Sequence, residues 1–212
     1  MNFIRQTNLP YPQPWEFVLK IIGEKQNGIF VDVGAYDGVI VSNTHYFEDK
    51  LNWKGLCIEP NPNAFEKLLK SRTSNCINIG ISNDDTELEF IKVNGYAEML
   101  SGFKNYISDS HYERINEELV KNGGNIDFII IKVRKLKDIF IENNINNIDY
   151  LSIDTEGNEF NVLNSIDYDT CYINIISVEN NDNSTDVKNF LTTKGFCFVT
   201  KICGDDIYKN TK

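Results

Sequence analysis

Apolar and polar positions along the chain fall into short runs that alternate between two periods. Gly28-Ile29-Phe30-Val31-Asp32-Val33-Gly34 is a continuous apolar run closed by glycine, which reads as a strand buried on both faces of a parallel sheet. Trp53 to Glu59, Asn75 to Ile81, Phe128 to Val133, Ile148 to Asp154 and Cys171 to Glu179 repeat that pattern, and Gly195 to Ile202 closes it. Glu87 to Val93 follows the turn residues Asn83-Asp84-Asp85 and reads as a hairpin arm. Between strands the apolar spacing changes to three and four. Phe17, Val18, Ile21 and Ile22 predict a helix over Trp15 to Lys25, and Ala64, Phe65, Leu68 and Leu69 predict one after Pro60-Asn61-Pro62. Further helices are expected from Ser42 or Asn43, at Tyr112 to Lys121, at Leu136 to Asn143, through Phe160, Val162 and Leu163, and at Ser184 to Lys194. Strands alternating with helices predict one α/β domain, a mostly parallel central sheet with helices on both faces. The stiff lead-in ending in Pro10-Tyr11-Pro12-Gln13-Pro14 and the first helix make up residues 1–25; the domain proper is 26–212.

Composition narrows the function classes. The 212 residues carry 31 Asp and Glu against 21 Lys and Arg, a formal charge of −10. That field repels phosphate backbones and anionic lipid, so neither nucleic acid nor a membrane surface is an expected partner. No apolar run approaches the roughly 20 residues of a membrane span. The opening residues Met1 to Asn8 lack a secretory h-region, so a cytoplasmic location is expected. Five cysteines without CxxC spacing read as reduced thiols, and two histidines are too few for a His-rich metal site. Nothing in the pattern speaks to oligomeric state. The 28 Asn and 27 Ile follow from A/T-rich coding, as in a low-GC bacterium or a large DNA virus.

Four stretches carry candidate chemistry. In Asp32-Val33-Gly34-Ala35-Tyr36-Asp37-Gly38 a strand enters a glycine-containing turn, the place where α/β sheets bind nucleotide-like ligands. Tyr36 stands where the dinucleotide fingerprint has its middle glycine, which disfavours a pyrophosphate and suits a phosphate-free cofactor such as S-adenosylmethionine. Glu59, followed by Pro60 and Asn61, ends the second strand, where a carboxylate accepts both ribose hydroxyls. Asp154, Glu156 and Glu159 crowd the end of a later strand; such acids need a cation, a hydroxyl network or raised pKa values. Glu179 and Asn180 end the next strand, and with Asp154 they form a three-oxygen set suited to Mg²⁺ or a similar hard cation. Ser42, Asn43 and Thr44 precede a helix that is expected to face the cofactor, and His45 is a candidate general base there. A lone histidine is more often structural or merely exposed, and His111 sits in the least readable stretch.

With these pieces together the chain resembles the FkbM family of S-adenosylmethionine-dependent methyltransferases. The resemblance rests on Phe-Val-Asp-Val-Gly-Ala-Tyr-Asp-Gly (30–38), Ser-Asn-Thr (42–44), Cys-Ile-Glu-Pro-Asn-Pro (57–62), Gly-Ile-Ser-Asn (80–83) and Asp-Tyr-Leu-Ser-Ile-Asp-Thr-Glu-Gly-Asn-Glu-Phe (149–160). It implies a Rossmann-like class I fold and methyl transfer to a hydroxyl, often of a sugar or other polyol. By the same resemblance Asp32, Gly34 and Gly38 hold the methionine end, Glu59 the ribose, Ser82 lies near the adenine, and Asp154 and Glu156 flank the transferred methyl. Asp154 is then the expected base or cation ligand, with Glu179 beside it, and residues 94–126 are an expected acceptor-side insertion. Two rivals remain: an NAD-dependent enzyme acting on nucleotide sugars, and a Rossmann-like module that binds without catalysis.

Overall fold

The structure, a computed structural model, describes residues 12–212; the beginning of the proline-rich lead-in lies outside them. The chain runs α1 (Pro14–Ile22), β1 (Ile29–Val33), α2 (His45–Leu51), β2 (Lys54–Ile58), α3 (Pro62–Ser71), β3 (Asn75–Ile77), β4 (Gly80–Ile81), β5 (Thr86–Asn94), β6 (Gly102–Phe103), α4 (Asp109–Asn122), β7 (Asn125–Arg134), α5 (Leu136–Glu142), β8 (Asn147–Ile153), α6 (Glu159–Asn164), β9 (Tyr172–Glu179), α7 (Asp186–Thr193), β10 (Phe196–Ile202) and β11 (Asp205–Asn210). The main sheet has the strand order β3-β2-β1-β8-β9-β11-β10. Only β11 runs against its neighbours; β1, β2, β3, β8 and β9 pair in parallel. The order reverses between β1 and β8, which opens a crevice at their carboxyl ends.

Period-two alternation assigns each strand residue to a face. Val31 and Val33 pack with Leu136 and Ile139 of α5, Val162 and Leu163 of α6 and Leu191 of α7. Phe30 points the other way, onto Trp15 and Val18 of α1, Phe47 and Leu51 of α2 and Leu68 of α3. Asp32 shares the face of Phe30 and is thereby aimed at α2 and α3. This is the doubly covered, Rossmann-like α/β fold that the sequence predicts. Among the described residues no helix is long and apolar enough to cross a membrane.

Three expectations are corrected. The run Asn75 to Ile81 is two strands, because Asn78 turns the chain by donating to Glu59 O at 2.7 Å and Pro60 O at 3.1 Å. Phe128 to Val133 belongs to β7, in a separate sheet of order β4-β7-β5-β6 in which β5 and β7 pair antiparallel from Thr86↔Val133 to Asn94↔Asn125. Residues 94–126 lie between the long strands of that sheet, with α4 held by Ile115 against Ile91, Val93 and Leu100. Lastly, β11 follows β10 and inserts between it and β9. All five cysteines are free, but only Cys57 and Cys171 are buried; Cys197 and Cys203 are exposed.

Candidate active site

At the crevice between β1 and β8 the chain lines a cavity with Asp32, Gly34, Tyr36, Asn43, Glu59 and Asp154, among others. Its floor is set by backbone bonds: Gly34 N and Ala35 N donate to Ile58 O at 2.9 and 3.1 Å, and Asp154 N donates to Val33 O at 3.0 Å. Gly34 has φ +85°, and a Cβ there would stand 1.6 Å from Asp154 O, so only glycine lets β1 and β8 meet this closely.

Glu59 is buried at the end of β2. Its Oε2 accepts from Tyr36 N at 2.8 Å and its Oε1 from Asn61 N at 2.7 Å. Each oxygen keeps a second lone-pair direction for a ligand hydroxyl. Burial outweighs those two donors and raises the Glu59 carboxyl to about 7. Ala35, Ser42, Pro60 and Asn61 also line the cavity. Asn61 Oδ1 additionally caps α3, accepting from Asn63 N at 3.1 Å.

Asp32 is committed to the scaffold as well as to the cavity. Its Oδ2 accepts from Thr44 Oγ1 at 2.6 Å and lies 3.8 Å from Arg72 Nη1. Arg72, at the end of α3, is fully buried and lies over the Phe30 ring. It donates to Glu48, to Gly38 O at 3.2 Å, to Ser42 Oγ at 3.3 Å and to Thr44 Oγ1 at 2.9 Å. One guanidinium therefore ties the loop after β1 to α2 and α3.

Several predicted contacts lie elsewhere. Asp37 accepts from Val39 N and Ile40 N at 2.9 and 2.8 Å, so it folds its own loop and is not on the cavity wall. Gly38 backs onto Arg72, Leu68 and Ser71 of α3. Ser42 and Asn43 do line the cavity, but with Thr44 they are held by Arg72, by Asp205 and Ser152, and by Asp32. His45 lies outside the cavity walls, facing Arg72, Glu48 and Asp49, and burial followed by Arg72 lowers its pKa. Ser82 is buried behind the wall, its N–H bonded to Arg134 O at 3.0 Å, while Ile79 and Ile81 line the cavity.

The acid cluster forms as the strand ends predict, with a different membership. Asp154, Glu156 and Glu179 bring carboxylate oxygens within 4.8 Å of one another. Asn180, the third member of the expected cation set, donates its amide to Asp206 Oδ2 at 2.7 Å and Ser184 O at 3.0 Å while its Oδ1 accepts from Ser184 N at 2.9 Å. Burial and mutual repulsion raise all three acids, Glu156 to about 9. Glu159 turns away to accept from Thr155 N and Gly157 N at 2.9 and 3.0 Å.

Four site residues gave no sequence signal. Asp205 of β11 pairs in register with Glu179, accepts from Asn43 at 3.0 Å, and is raised by burial and Glu179 to about 7. Glu98 reaches the cavity from the turn Glu98–Leu100, bonded to Tyr36 OH at 3.2 Å and paired with Lys67. His111 of α4 lies 3.3 Å from Glu156. Arg72, described above, is the fourth.

A second cavity adjoins the first, lined by α4 residues Ser110, His111 and Arg114, by Phe160, and by Glu179 and Asp182. Glu156 belongs to the walls of both cavities. It has φ +56°, strained for a residue with a side chain. Gly157 beside it has φ +110°, and a Cβ there would stand 2.5 Å from Tyr106 O.

The fold has counterparts among solved structures. The structure is similar to methyltransferase FkbM from Methylobacillus flagellatus KT, with a TM-score of 0.52 and 13% identity over 94% of this chain and 48% of that one. This chain thus spans about half the length of that protein. Precorrin-6y C5,15-methyltransferase from Geobacter metallireducens GS-15 follows, with TM-score 0.46 and 8% identity over 93% and 91% of the two chains. A methyltransferase from Geobacter sulfurreducens has TM-score 0.45 and 13% identity over 96% and 83%. No curated protein matches the chain. The likeness to the Methylobacillus protein is one of fold; the sequence goes further, because residues 32–197, from the buried Asp32 through the acid cluster to β10, match the Methyltransferase FkbM domain, and the chain belongs to that family.

Proposed function

We propose that the chain transfers a methyl group from S-adenosylmethionine to an oxygen, the hydroxyl of a sugar or other polyol. One observation carries the cofactor assignment. Asp32, Glu59, Glu98, Asp154 and Glu156 line the first cavity, and among its described walls there is no lysine, arginine or histidine. Such a wall fits a cation without phosphates and opposes a pyrophosphate. When bound, S-adenosylmethionine supplies an electrophilic methyl on a sulfonium. Glu59 would accept the ribose hydroxyls on its remaining lone pairs, and Asp154 and Glu156 would lie on the side of the transferred methyl. The NAD reading meets the same acidic wall. Tyr46 and Lys50 carry a dehydrogenase-like spacing, but Tyr46 stacks on Trp15 at 4.5 Å and is on neither cavity wall.

A hydroxyl is a poor nucleophile until its proton has somewhere to go. The cluster of Asp154, Glu156 and Glu179 is the group we assign to receive it, and the fixed walls hold oxygen and methyl in line. The second cavity supports a polyol acceptor: carboxylates, hydroxyls and amides match its hydroxyls, and Phe160 and Tyr106 offer apolar faces. A phosphorylated acceptor would meet Glu156, Glu159, Glu179, Asp182 and Asp186 against one arginine, Arg114. Calorimetric titration tests the cofactor: S-adenosylhomocysteine binds and NAD⁺ does not. Transfer of labelled methyl across mono- and oligosaccharides, lipids and capped RNA tests the acceptor. Labelling confined to RNA or lipid refutes the polyol reading, and tight NAD⁺ binding refutes the cofactor.

A further inference from the structure

The methyl-transfer reading leaves open which group takes the acceptor's proton, and donor–acceptor accounting around His111 answers it. His111 Nε2 lies 2.9 Å from Leu100 O. A carbonyl only accepts, so Nε2 carries hydrogen. That leaves Nδ1, 3.3 Å from Glu156 Oε2. In the neutral ring Nδ1 is a lone pair, and an ionised carboxylate offers only lone pairs as well. Both side chains are largely buried, at 14% and 16% exposure, so water does little to separate two acceptors held at this distance. A proton between them removes the conflict, as acid and imidazole or as carboxylate and imidazolium.

The surroundings fix the pair in place. Glu156 is held in its left-handed conformation by the close approach of Gly157 to Tyr106 O, while the turn Glu98–Leu100 holds the far side of the imidazole. The charged groups facing the pair are Asp154 from β8, Glu179 from β9, Glu159 from α6 and Arg114 from α4. Three of these four are acids, so an added proton lowers the local charge density.

We propose that His111 and Glu156 act as one proton-sharing pair, in which Glu156 takes the proton of the acceptor hydroxyl and His111 is the positioning residue that orients and charges it. The acceptor's O–H bond breaks and its proton goes to Glu156, as the proton already shared by the pair passes fully to His111 Nδ1. The oxygen forms a bond to the methyl carbon, and the C–S bond breaks with its electrons returning to sulfur. The sulfonium charge disappears as the pair gains one, so the charge of the site is conserved through the step. His111 enters from α4, which ties the insertion to the chemistry through one side chain.

The chain has two histidines, so ring ¹⁵N spectra of ¹⁵N-labelled protein, assigned with His45→Gln, report His111 alone. In the presence of S-adenosylhomocysteine we expect hydrogen on Nε2 and an Nδ1 signal between the protonated and free values, moving to the free side in Glu156→Gln. A ring protonated at Nδ1 and free at Nε2, or an Nδ1 signal unmoved by Glu156→Gln, overturns the pair. In turnover, His111→Gln is expected to lower kcat about 100-fold and to change the shape of the pH–rate profile, with cofactor KM within twofold. An unchanged profile and kcat overturn the positioning role. The spectra need no methyl transfer, so a wild-type protein with the expected ring signals and no labelled product refutes the function reading and leaves the pair standing.

Discussion

Removing the charge of Glu48 tests how the cofactor loop is held. Glu48 of α2 pairs with Arg72 Nε, and its Oε1 accepts from Thr73 N at 2.8 Å, Thr73 Oγ1 at 2.6 Å and Ser74 N at 2.8 Å. Burial opposes its ionisation, but Arg72 and the Thr73 donors outweigh it and hold the carboxyl at about 2, down from 4.5. That drop corresponds to about 3 kcal/mol. The carboxylate side chain is 9% exposed, so solvent screens little of it. Because the folded pKa lies below the unfolded one, this stability is present above pH 4.5 and is lost as pH falls toward 2. Glu48→Gln should therefore destabilise the protein by about 3 kcal/mol at pH 7, or about 6–12 °C in Tm for a chain of this size. The gap to wild type should narrow below pH 4.5. Asp32, raised by burial and in part by Glu48 with Arg72 opposing, is eased in the variant, which takes a little off the gap. Urea unfolding at pH 7, 4.5 and 3 measures the gap. A gap below about 1 kcal/mol at pH 7, or one that stays constant on acidification, refutes the clamp. Binding of S-adenosylhomocysteine should weaken in the same variant, since Arg72 also holds Gly38 O, Ser42 and Thr44.

Gly34→Ala should cost more than about 3 kcal/mol, because the new Cβ meets Asp154 O at 1.6 Å. Gly23→Ala, with φ +72° and open space around it, should cost only about 1–2 kcal/mol; thermal melts showing equal losses would sink the close-approach argument. Glu59, raised to about 7 by burial, must ionise to accept ribose hydroxyls, so S-adenosylhomocysteine should bind about tenfold tighter per pH unit up to about 7, releasing a proton. Calorimetry in two buffers of different ionisation heat counts that proton, and the same count in Glu59→Gln would exclude Glu59. Asp154→Asn should abolish turnover and leave S-adenosylhomocysteine binding within a few fold; wild-type turnover with a genuine acceptor would remove Asp154 from the cluster's work.

The strands of the main sheet were legible where both faces are buried. β1, β2, β8 and β9 are near-continuous apolar runs because α1–α3 cover one face and α5–α7 the other. The same signature misleads in β7, where Phe128 and Ile130 are 52% and 63% exposed and yet as apolar as the buried positions. Nothing local separates that strand from a core one; its antiparallel partner β5 lies about forty residues earlier in the chain. β11 fails for the opposite reason. Asp205-Asp206-Ile207-Tyr208-Lys209-Asn210 is polar enough to read as a tail, and becomes a strand because β9 and β10 both pair with it.

The site divides along the same line, and the division says what its charge is for. Acids at strand ends were legible because a strand end fixes where a side chain goes, so Asp32, Glu59, Asp154, Glu156 and Glu179 were found by position. Their partners arrive from remote elements: Arg72 from α3, Asp205 from β11, His111 from α4. Those partners sort the acids into two kinds. Asp32 and Glu48 share the buried Arg72, and in that arrangement their charge holds the loop. Asp154, Glu156 and Glu179 meet one another first, with Arg114 and His111 nearby, and burial raises every one of them. A carboxylate crowded by others is costly to fold around. An ion pair to a second arginine would have relieved that cost, and the fold shows with Arg72 that it can place one. Among the described residues no lysine or arginine forms an ion pair with the cluster, which leaves its charge and protons to be balanced by a ligand and is the physical argument for the methyl-transfer reading proposed for this edge.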